Sequence, residues 1–466
     1  MKIEKNTAGI IDSIRYKLIT GSVWATIGQF STLLFGFLAS MMLTRLLPAQ
    51  DVGVYLLMIS FVGIVTSIFS LGLPVTIVRK ISQYMALDEI GLVKQIIVVC
   101  LMITTILGFF AYSFTLIFGS WLAEHVFGTT MLAILMPQIG FLVFVALMRG
   151  FIAESFRGFH DLRLATVFGG MTTSFLTAIA LSVLWWLQGS SNIKQVVWIS
   201  MISAGLVGFV ALIYFFKKLK SLACSTATPL KQVLKDIFSI SWGMWLIGLL
   251  MLLLSNADLW IVSALGTSDN VAIYGVAARL TMLVTVFHSI SVAMIQPIIS
   301  ELHAKNDMKK LEQVVRTVTT LSFIPAFLIT LVFIFFGKGL LENVYGDFYG
   351  QASWILVVLS AMHIIGMIVG PIGIIQMMTG LQLYFFFLSA ITGLLSVILA
   401  VIFMPNYGVI GVAYAWLIAS FVHSILNAWV IWRKLQIKCY FSPMVLYKLF
   451  TKPGLISEVL SMRRSV

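Results

Sequence analysis

The chain has 466 residues, of which 60% are hydrophobic and 10% charged, with a mean hydropathy of +1.05 and a formal net charge of +13. Soluble proteins carry about 25% charged residues, so this chain cannot clothe a globular surface in charge, and its solvent is lipid. Apolar runs of 20 or more residues recur along the whole length, each enough to cross a hydrocarbon core of roughly 30 Å.

The first stretch, "MKIEKNTAGIIDSIRYKLITGSVWATIG", is basic. The apolar run it leads into is too long for a signal-peptide core and shows no clear cleavage site. It reads as a cytoplasmic N-terminus followed by the first span. Twelve spans are expected, at about 19–47, 52–78, 92–119, 130–156, 163–187, 193–216, 237–264, 270–300, 313–336, 351–378, 382–403 and 408–432. Backbone in lipid must satisfy its own hydrogen bonds, and the alternation of barrel strands is absent. The fold class is therefore all-α: a polytopic membrane protein with about 12 transmembrane helices.

Between the first two spans lies "RLLPAQDVGVYLL", Arg45 to Leu57, where Pro48 stops a helix and Gln50 and Asp51 are polar. An echo follows at "ALGTSDNVAIYGVAA", Ala264 to Ala278: Leu46 matches Leu265, Val52 matches Val271 and Tyr55 matches Tyr274, all 219 residues apart. Pro74 and Pro297 lie near the inner ends of spans 2 and 8. Gly158 in "SFRGFHDL" and Gly380 in "MMTGLQLY", 222 apart, follow spans 4 and 10. Pro137 and Pro371 do not fit this register. At mid-chain, "KKLKSLACSTATPLKQVLKD", Lys217 to Asp236, is the longest internal polar stretch, with six spans on either side. Two parallel six-helix repeats are expected, related by an axis along the membrane normal. The organisation read here is an N-terminal lobe at 1–225, a C-terminal lobe at 226–436 and a basic cytoplasmic or interfacial tail at 437–466.

Orientation follows from Lys and Arg. With the N-terminus inside, 25 of the 30 fall in inner segments; Arg45, Lys194 and Lys338 fall outside, and Arg149 and Arg279 within spans. Both termini are expected in the cytoplasm. The basic balance is thereby explained as topology and contact with anionic membrane lipids, without a nucleic-acid partner. Cys100, Cys224 and Cys439 are too scattered for a disulfide framework or a metal cluster.

There is no Walker sequence, no His/Cys/carboxylate cluster with metal spacing and no large outer loop. No catalytic residue, metal or cofactor is expected. Ionisable residues inside spans carry the information, since each costs roughly 2.5–3.5 kcal/mol at mid-membrane. Arg279 lies about ten residues into span 8, and Asp258 about as far back on span 7, so the two sit roughly 15 Å from their shared turn. An ion pair there would either neutralise itself or line a cavity; Ala39 and Ser60 occupy the matching first-half positions. Arg149 lies on span 4 with Glu154 and Arg157 beyond it. Arg149 and Arg157 fall within about 80° on a helix, and Arg163 continues a cationic ladder across the next turn. Guanidinium suits phosphate bidentately, whereas Arg157 and Arg163 could equally snorkel to the surface. Asp258 is the candidate for coupling to H+ or Na+, with Glu154 the other embedded acid. Arg45 and Asp51 are gate candidates or interface anchors. His288, His363 and His423 lie in spans 8, 10 and 12 and could each hold a proton or simply pack.

"FLASMMLTRLLPAQDVGVYLLMISFVGIVTSIFSLGLPVTIVRKISQ" resembles the opening of the polysaccharide transporter (Wzx-type flippase) family. That family belongs to the multidrug/oligosaccharidyl-lipid/polysaccharide exporter (MOP) superfamily. "SNADLWIVSALGTSDNVAIYGVAARL" is similar to its seventh-to-eighth helix junction, and "FMPNYGVIGVAYAWLIASFV", Phe403 to Val422, to its last hairpin. The resemblance runs to about Arg433. It implies two MATE-like six-helix lobes around a central cavity with alternating access. It also implies transfer of a polyprenyl-diphosphate-linked oligosaccharide (an O-antigen, capsule or exopolysaccharide repeat unit) between leaflets of the bacterial cytoplasmic (inner) membrane. A coupling cation, a polysaccharide polymerase and chain-length proteins are the further partners it implies. Of the family's cavity arginines, Arg149 and Arg279 are the positions that match. The first span lacks the arginines of lipid II flippases and the acid of drug exporters. A cation-coupled multidrug exporter of the same superfamily and a membrane glycan polymerase or ligase are the alternatives.

Overall fold

The computed structural model describes residues 27–28, 30–86, 89–222 and 229–445. Every regular element among them is helical. In chain order these are α1 (Phe30–Leu46), α2 (Ala49–Ser70), α3 (Leu73–Ala86), α4 (Ile90–His125), α5 (Thr130–Ile134), α6 (Met136–Gly158), α7 (Leu162–Thr166), a π-helical turn (Val167–Met171), α8 (Thr172–Gln188), α9 (Ile193–Lys220), α10 (Leu230–Leu265), α11 (Ser268–Ala304), α12 (Met308–Tyr345), a 3-10 turn (Asp347–Ala352), α13 (Ser353–Val369), α14 (Ile372–Met378), α15 (Gln382–Tyr407) and α16 (Val409–Leu435). Eleven described helical segments are long and apolar enough to cross a membrane, and α1 is a shorter apolar helix whose expected beginning lies outside the described residues. The protein is an all-α, multi-pass membrane protein.

The chain forms two compact units, Met1–Ala272 and Ile273–Val466. The first is built on a core of Ile77 and Ile81 from α3, Ile97 and Cys100 from α4, Phe151 and Phe156 from α6, and Phe215 from α9. The second is built on Ile295 and Ile299 of α11, Val314 and Val315 of α12, Ile375 of α14 and Ile431 of α16. Faces left outward are as apolar as the cores: Phe109, Ile117 and Trp121 on α4, and Phe387, Ile391 and Leu394 on α15, are all exposed. In water such faces would drive aggregation; in lipid they are the correct surface.

The helix corners repeat. A two-residue break at Leu47–Pro48 ends α1, and the same break at Gly266–Thr267 ends α10, each pair 219 apart. At the next corner Glu89 N donates to Tyr84 O, and Asp307 N donates to Leu302 O. At the next, Asp161 N donates to Phe156 O, and Leu381 N to Gln376 O. These bonds reach back five residues, the mark of a Schellman-type helix end. Finally Gly189 (φ 70°) caps α8 and Gly408 (φ 68°) caps α15, again 219 apart, each with its amide on the carbonyl four residues back. Both hold a positive φ, which glycine alone adopts cheaply, although their ψ angles differ (−38° and −155°). The residue matching Gly380 (φ 80°) is therefore His160 (φ 60°). The pairing of Gly158 with Gly380 is corrected by two residues; Gly158 is still helical. It serves instead as a contact point, where a Cβ would press on Ile81 of α3.

The prolines do not mark equivalent points. Pro74 follows a break at Leu71–Gly72 that separates α2 from α3, whereas α11 runs unbroken past residue 297. Gly72 holds φ 70°, and a Cβ there would collide with the Ser241 carbonyl and the Trp245 amide of α10. Around that contact α2, α3 and α10 form a polar seam. Trp245 Nε1 donates to the carbonyl of Ile68 (2.9 Å), the Thr76 and Ser241 hydroxyls meet at 3.1 Å, and Ser60 donates to Asn256 Oδ1 (2.9 Å) while accepting from Trp260 Nε1 (2.7 Å). This seam is why α10 belongs with the first compact unit.

The start of the basic tail is a packed strap. Ile437, Cys439 and Ser442 are buried, and residues 438–442 run along α12. Glu312 Oε2 accepts from Lys438 N (3.1 Å), the Cys439 carbonyl accepts from Thr319 Oγ1 (3.1 Å), and Phe441 N donates to Ile368 O (2.7 Å). The Phe441 ring packs at 4.7 Å, tilted by 48°, against Phe323, and the Arg316 guanidinium lies over Tyr440. An extended backbone cannot be left unpaired in a largely apolar setting, and α12 supplies the partners through threonine hydroxyls. Residues 446–466 lie outside the described residues. Cys439 is a buried free thiol whose pKa is pushed up to about 12 by burial, and Cys100 is likewise buried and free; Cys224 lies outside the described residues.

Candidate functional site

The charged candidates of the first unit cluster along α6 and the elements after it. Arg149 is half-buried, with Nη1 donating to the Phe168 carbonyl at 3.1 Å and a buried Nε that meets no acceptor. Phe168 belongs to the π-helical turn, where the chain kinks at Gly170 (φ 159°, ψ −29°). Wide turns of this kind displace the helical hydrogen-bond ladder and recur at functional sites. Here the turn presents a main-chain carbonyl to Arg149. The guanidinium keeps its remaining donors for another acceptor, and five donors in one plane suit a phosphate or carboxylate.

Two turns further along α6, Arg157 pairs with Glu154 through contacts of 2.8 and 2.9 Å from its Nη1. The Arg157 side chain is 51% exposed, so solvent screens the pair and it adds little stability. Its geometric effect is to hold the Glu154 carboxylate on its own helix. Arg163 is exposed at the beginning of α7, whose N-terminus is capped by Asp161 accepting from Leu164 N at 3.1 Å. The ladder read from spacing thus has three environments: Arg149 sealed against a carbonyl, Arg157 neutralised, and Arg163 at the surface.

Asp258, on α10, is half-buried and its Oδ1 accepts from Leu259 N at 2.8 Å. Its neighbours Asn256 and Trp260 both bind Ser60 of α2. The neutral first-half position matched to Arg279 is therefore a junction of the α2–α10 seam. Arg279 itself is half-buried on α11, in the second unit. Arg45 is exposed near the end of α1. Asp51 is half-buried in the first turn of α2, where the helix N-terminus favours an acid. Tyr55, at the repeated turn, is buried with its hydroxyl 2.9 Å from Ser200 of α9. Among the described residues no group of three or more His, Cys, Asp or Glu converges to hold a metal ion.

Neutral polar residues form a second cluster, in the second unit, that charge-based reading overlooks. Gln376 (0% exposed) and Asn427 (0%) are bonded at 2.9 Å, and His423 lies against Thr392 at 3.0 Å. Of these only His423 stands out in the sequence; the signal for the others was a polar residue facing inward within a span.

Helices of this length, with polar and ionisable side chains turned inward, define a polytopic membrane protein. A family model described as "Polysaccharide biosynthesis protein" matches residues 18–303, and the MatE model matches residues 244–378. The chain belongs to the polysaccharide biosynthesis protein family and is a membrane transport protein of the MOP superfamily. A probable low-salt glycan biosynthesis flippase, Agl15 of Haloferax volcanii, is 28% identical over 191 residues, 40% of this chain and 39% of that relative. The chain thus matches well under half the length of that curated relative. Among solved structures, the inward-facing conformation of a multidrug resistance MATE family transporter superimposes with a TM-score of 0.76 at 16% identity, covering 87% of this chain and 94% of that one. A MOP superfamily transporter from Pyrococcus furiosus superimposes at 0.63, also at 16% identity, covering 90% and 95%. At such identities the likeness is one of fold.

Proposed function

We propose that the protein is a flippase that moves a polyprenyl-diphosphate-linked oligosaccharide from the inner to the outer leaflet of the cytoplasmic membrane by alternating access, coupled to a cation. The lobes of that cycle are residues 1–225 and 226–436, although α10 packs with the first compact unit, and both termini are in the cytoplasm. The observation that carries the reading is Arg149. A guanidinium embedded within a span, bound to one carbonyl and with a sealed unsatisfied Nε, is costly in lipid unless it serves an anion. A diphosphate meets that need. Membership of a polysaccharide biosynthesis family and a likeness to a glycan flippase agree with it. Arg279 is the second cavity arginine, Arg157 and Arg163 guide the head group, Asp258 and Glu154 serve coupling, and Arg45 and Asp51 serve the outer gate. The protein is a carrier and leaves the glycan chemically unchanged.

The test is surface polysaccharide in a deletion strain complemented with Arg149→Ala or Arg279→Ala. Loss of polysaccharide with normal membrane insertion is expected; normal polysaccharide in both would overturn the cavity assignment. The MatE match over residues 244–378 favours a second reading, a cation-coupled multidrug exporter. Drug hypersensitivity of the deletion strain with intact polysaccharide would establish it instead.

A further inference from the structure

The second unit carries a buried polar cluster at a place where the first unit is apolar. Phe156 and Gln376 are equivalent by their main-chain bonds, each carbonyl accepting from the amide five residues on. Phe156 packs on Phe168 (5.9 Å) and Phe215 (6.3 Å), with Val207 and Ala211 of α9 in the same core. Counted from the helix starts Ile193 and Val409, Val207 and Ala211 correspond to His423 and Asn427 of α16. The same backbone corner thus closes over apolar side chains in one copy and over Gln376, Asn427 and His423 in the other. A packed apolar solution exists in this very chain, so the polar set is not imposed by the fold. In lipid it costs stability unless every member is satisfied.

Not every member is satisfied. Gln376 Nε2 donates to Asn427 Oδ1 (2.9 Å), and Asn427 Nδ2 donates to the His423 carbonyl (2.8 Å). That leaves Gln376 Oε1 buried with no donor, and Ser389 Oγ, one turn from Thr392 on α15, is also buried without a partner. Thr392 Oγ1 spends its hydrogen on the Leu388 carbonyl (2.7 Å), so toward His423 Nδ1 (3.0 Å) it accepts. The imidazole hydrogen therefore sits on Nδ1, and Nε2 holds the lone pair, with Asn427 Nδ2 3.4 Å from it and 3.3 Å from Nδ1. Two polar atoms of the cluster, Gln376 Oε1 and Ser389 Oγ, stay unbonded, and Nε2 is the atom of the imidazole that can take a further proton. The Phe385 ring packs edge-on against the imidazole, 5.9 Å away and inclined at 71°.

The surroundings leave such a proton free to come and go. His423 lies about 165° around α16 from the exposed stripe of Phe421, Ile425, Trp429 and Trp432, so it faces the interior of the unit. Of the helices packed against α16, α13 contributes His363, α14 no titratable group, and α15 Tyr384 and Tyr407. α16 itself contributes Tyr414, Arg433 and Lys434, and Lys434 lies over the Tyr384 ring near the helix end. No carboxylate stands on these four helices to pin the imidazole in its charged form.

We infer that His423, held by Thr392 and the Gln376–Asn427 pair, is a proton-binding site in the second unit. As the proton site of the transport cycle it rests on the flippase reading; as a titrating group it does not. The first test is deuterium exchange at histidine C2–H, read residue by residue by mass spectrometry on the intact chain in detergent between pH 4 and 9. His423 should give a sigmoidal profile. Thr392→Val or Asn427→Ala should move its midpoint by about half a unit or more, with the exposed His125 unmoved. A flat profile, or a midpoint indifferent to both substitutions, overturns the site. The second test uses undecaprenyl-diphosphate-linked N-acetylglucosamine in phosphatidylethanolamine/phosphatidylglycerol vesicles. There His423→Gln should reduce the acceleration by an imposed pH gradient about tenfold, and an unchanged acceleration overturns its part in coupling. If the wild-type chain fails to move the probe, the flippase reading falls, and the exchange profile alone decides the proton site.

Discussion

The corner at Phe156 is dry and the corner at Gln376 is wet, although the main chain turns the same way in both. The first packs three aromatic rings; the second joins amides, a hydroxyl and an imidazole. Backbone architecture and side-chain chemistry are therefore separable here. The hydrogen bonds that end each helix are local and survive replacement of the side chains around them. The interior is then free to specialise in one copy while the other remains a packing unit. The same asymmetry recurs at Ser60, neutral and bonded into a helix seam, where the second copy has Arg279.

Truncating the dry corner should cost most. Phe156→Ala is expected to lose about 3–5 kcal/mol, as for a fully buried aromatic, read as the shift of a denaturation midpoint in detergent. In the wet corner Asn427→Ala should lose less, about 1–3 kcal/mol, because it strands Gln376 in the interior. If Asn427→Ala costs as much as Phe156→Ala, the polar cluster is a structural keystone and the contrast between the corners fails. The triple change of Gln376→Phe, His423→Val and Asn427→Ala gives the wet corner the residues of the dry one. It should recover part of the Asn427→Ala loss while removing the pH response of His423; a protein less stable than the single variant would mean the two corners differ in shape as well as chemistry.

Smaller effects test the repeat itself. Gly189→Ala and Gly408→Ala each force a side chain onto a positive-φ backbone and should each cost about 1 kcal/mol. Losses differing several-fold would break the equivalence of the two caps. Last, Cys439 should resist N-ethylmaleimide at pH 8, scored by intact mass in a variant lacking the other two cysteines. Its buried thiol stays protonated up to about 12, and the thiolate is the reactive form. The sign is fixed by the same burial. In the unfolded chain the thiol ionises near its ordinary value of 9.0, so this residue is neutral toward stability below that pH and lowers it as pH rises from there toward 12.

The spans and the first repeated turn were legible because hydropathy and punctuation are local properties. Leu46 and Leu265 share a 219-residue register, and the breaks at Leu47–Pro48 and Gly266–Thr267 keep it. The glycine pairing slipped because a left-handed residue need not be glycine: His160 takes the position that Gly380 fills. The site was partly legible. Arg149 is conspicuous as a charge in a span, but its partner is a main-chain carbonyl freed by a π turn, which no side-chain pattern announces. Gln376, Thr392 and Asn427 are unremarkable singly, and only folding brings residues 51 apart in sequence into contact. The strap at residues 438–442 read as tail because its composition is that of an interface; its burial depends on hydroxyls of α12 more than a hundred residues earlier.

That strap also sets a timetable. Thr319 finds its acceptor on Cys439, 120 residues downstream. At about 5–20 residues per second, α12 would leave the ribosome several seconds before the segment that covers it. During that interval its hydroxyls must be satisfied by water, by lipid head groups or by the insertion machinery. The second unit is thus completed only once the last span has been threaded. A stop codon or a bulky fusion placed just after residue 435 would leave a chain with every span present and one helix waiting indefinitely for its cover.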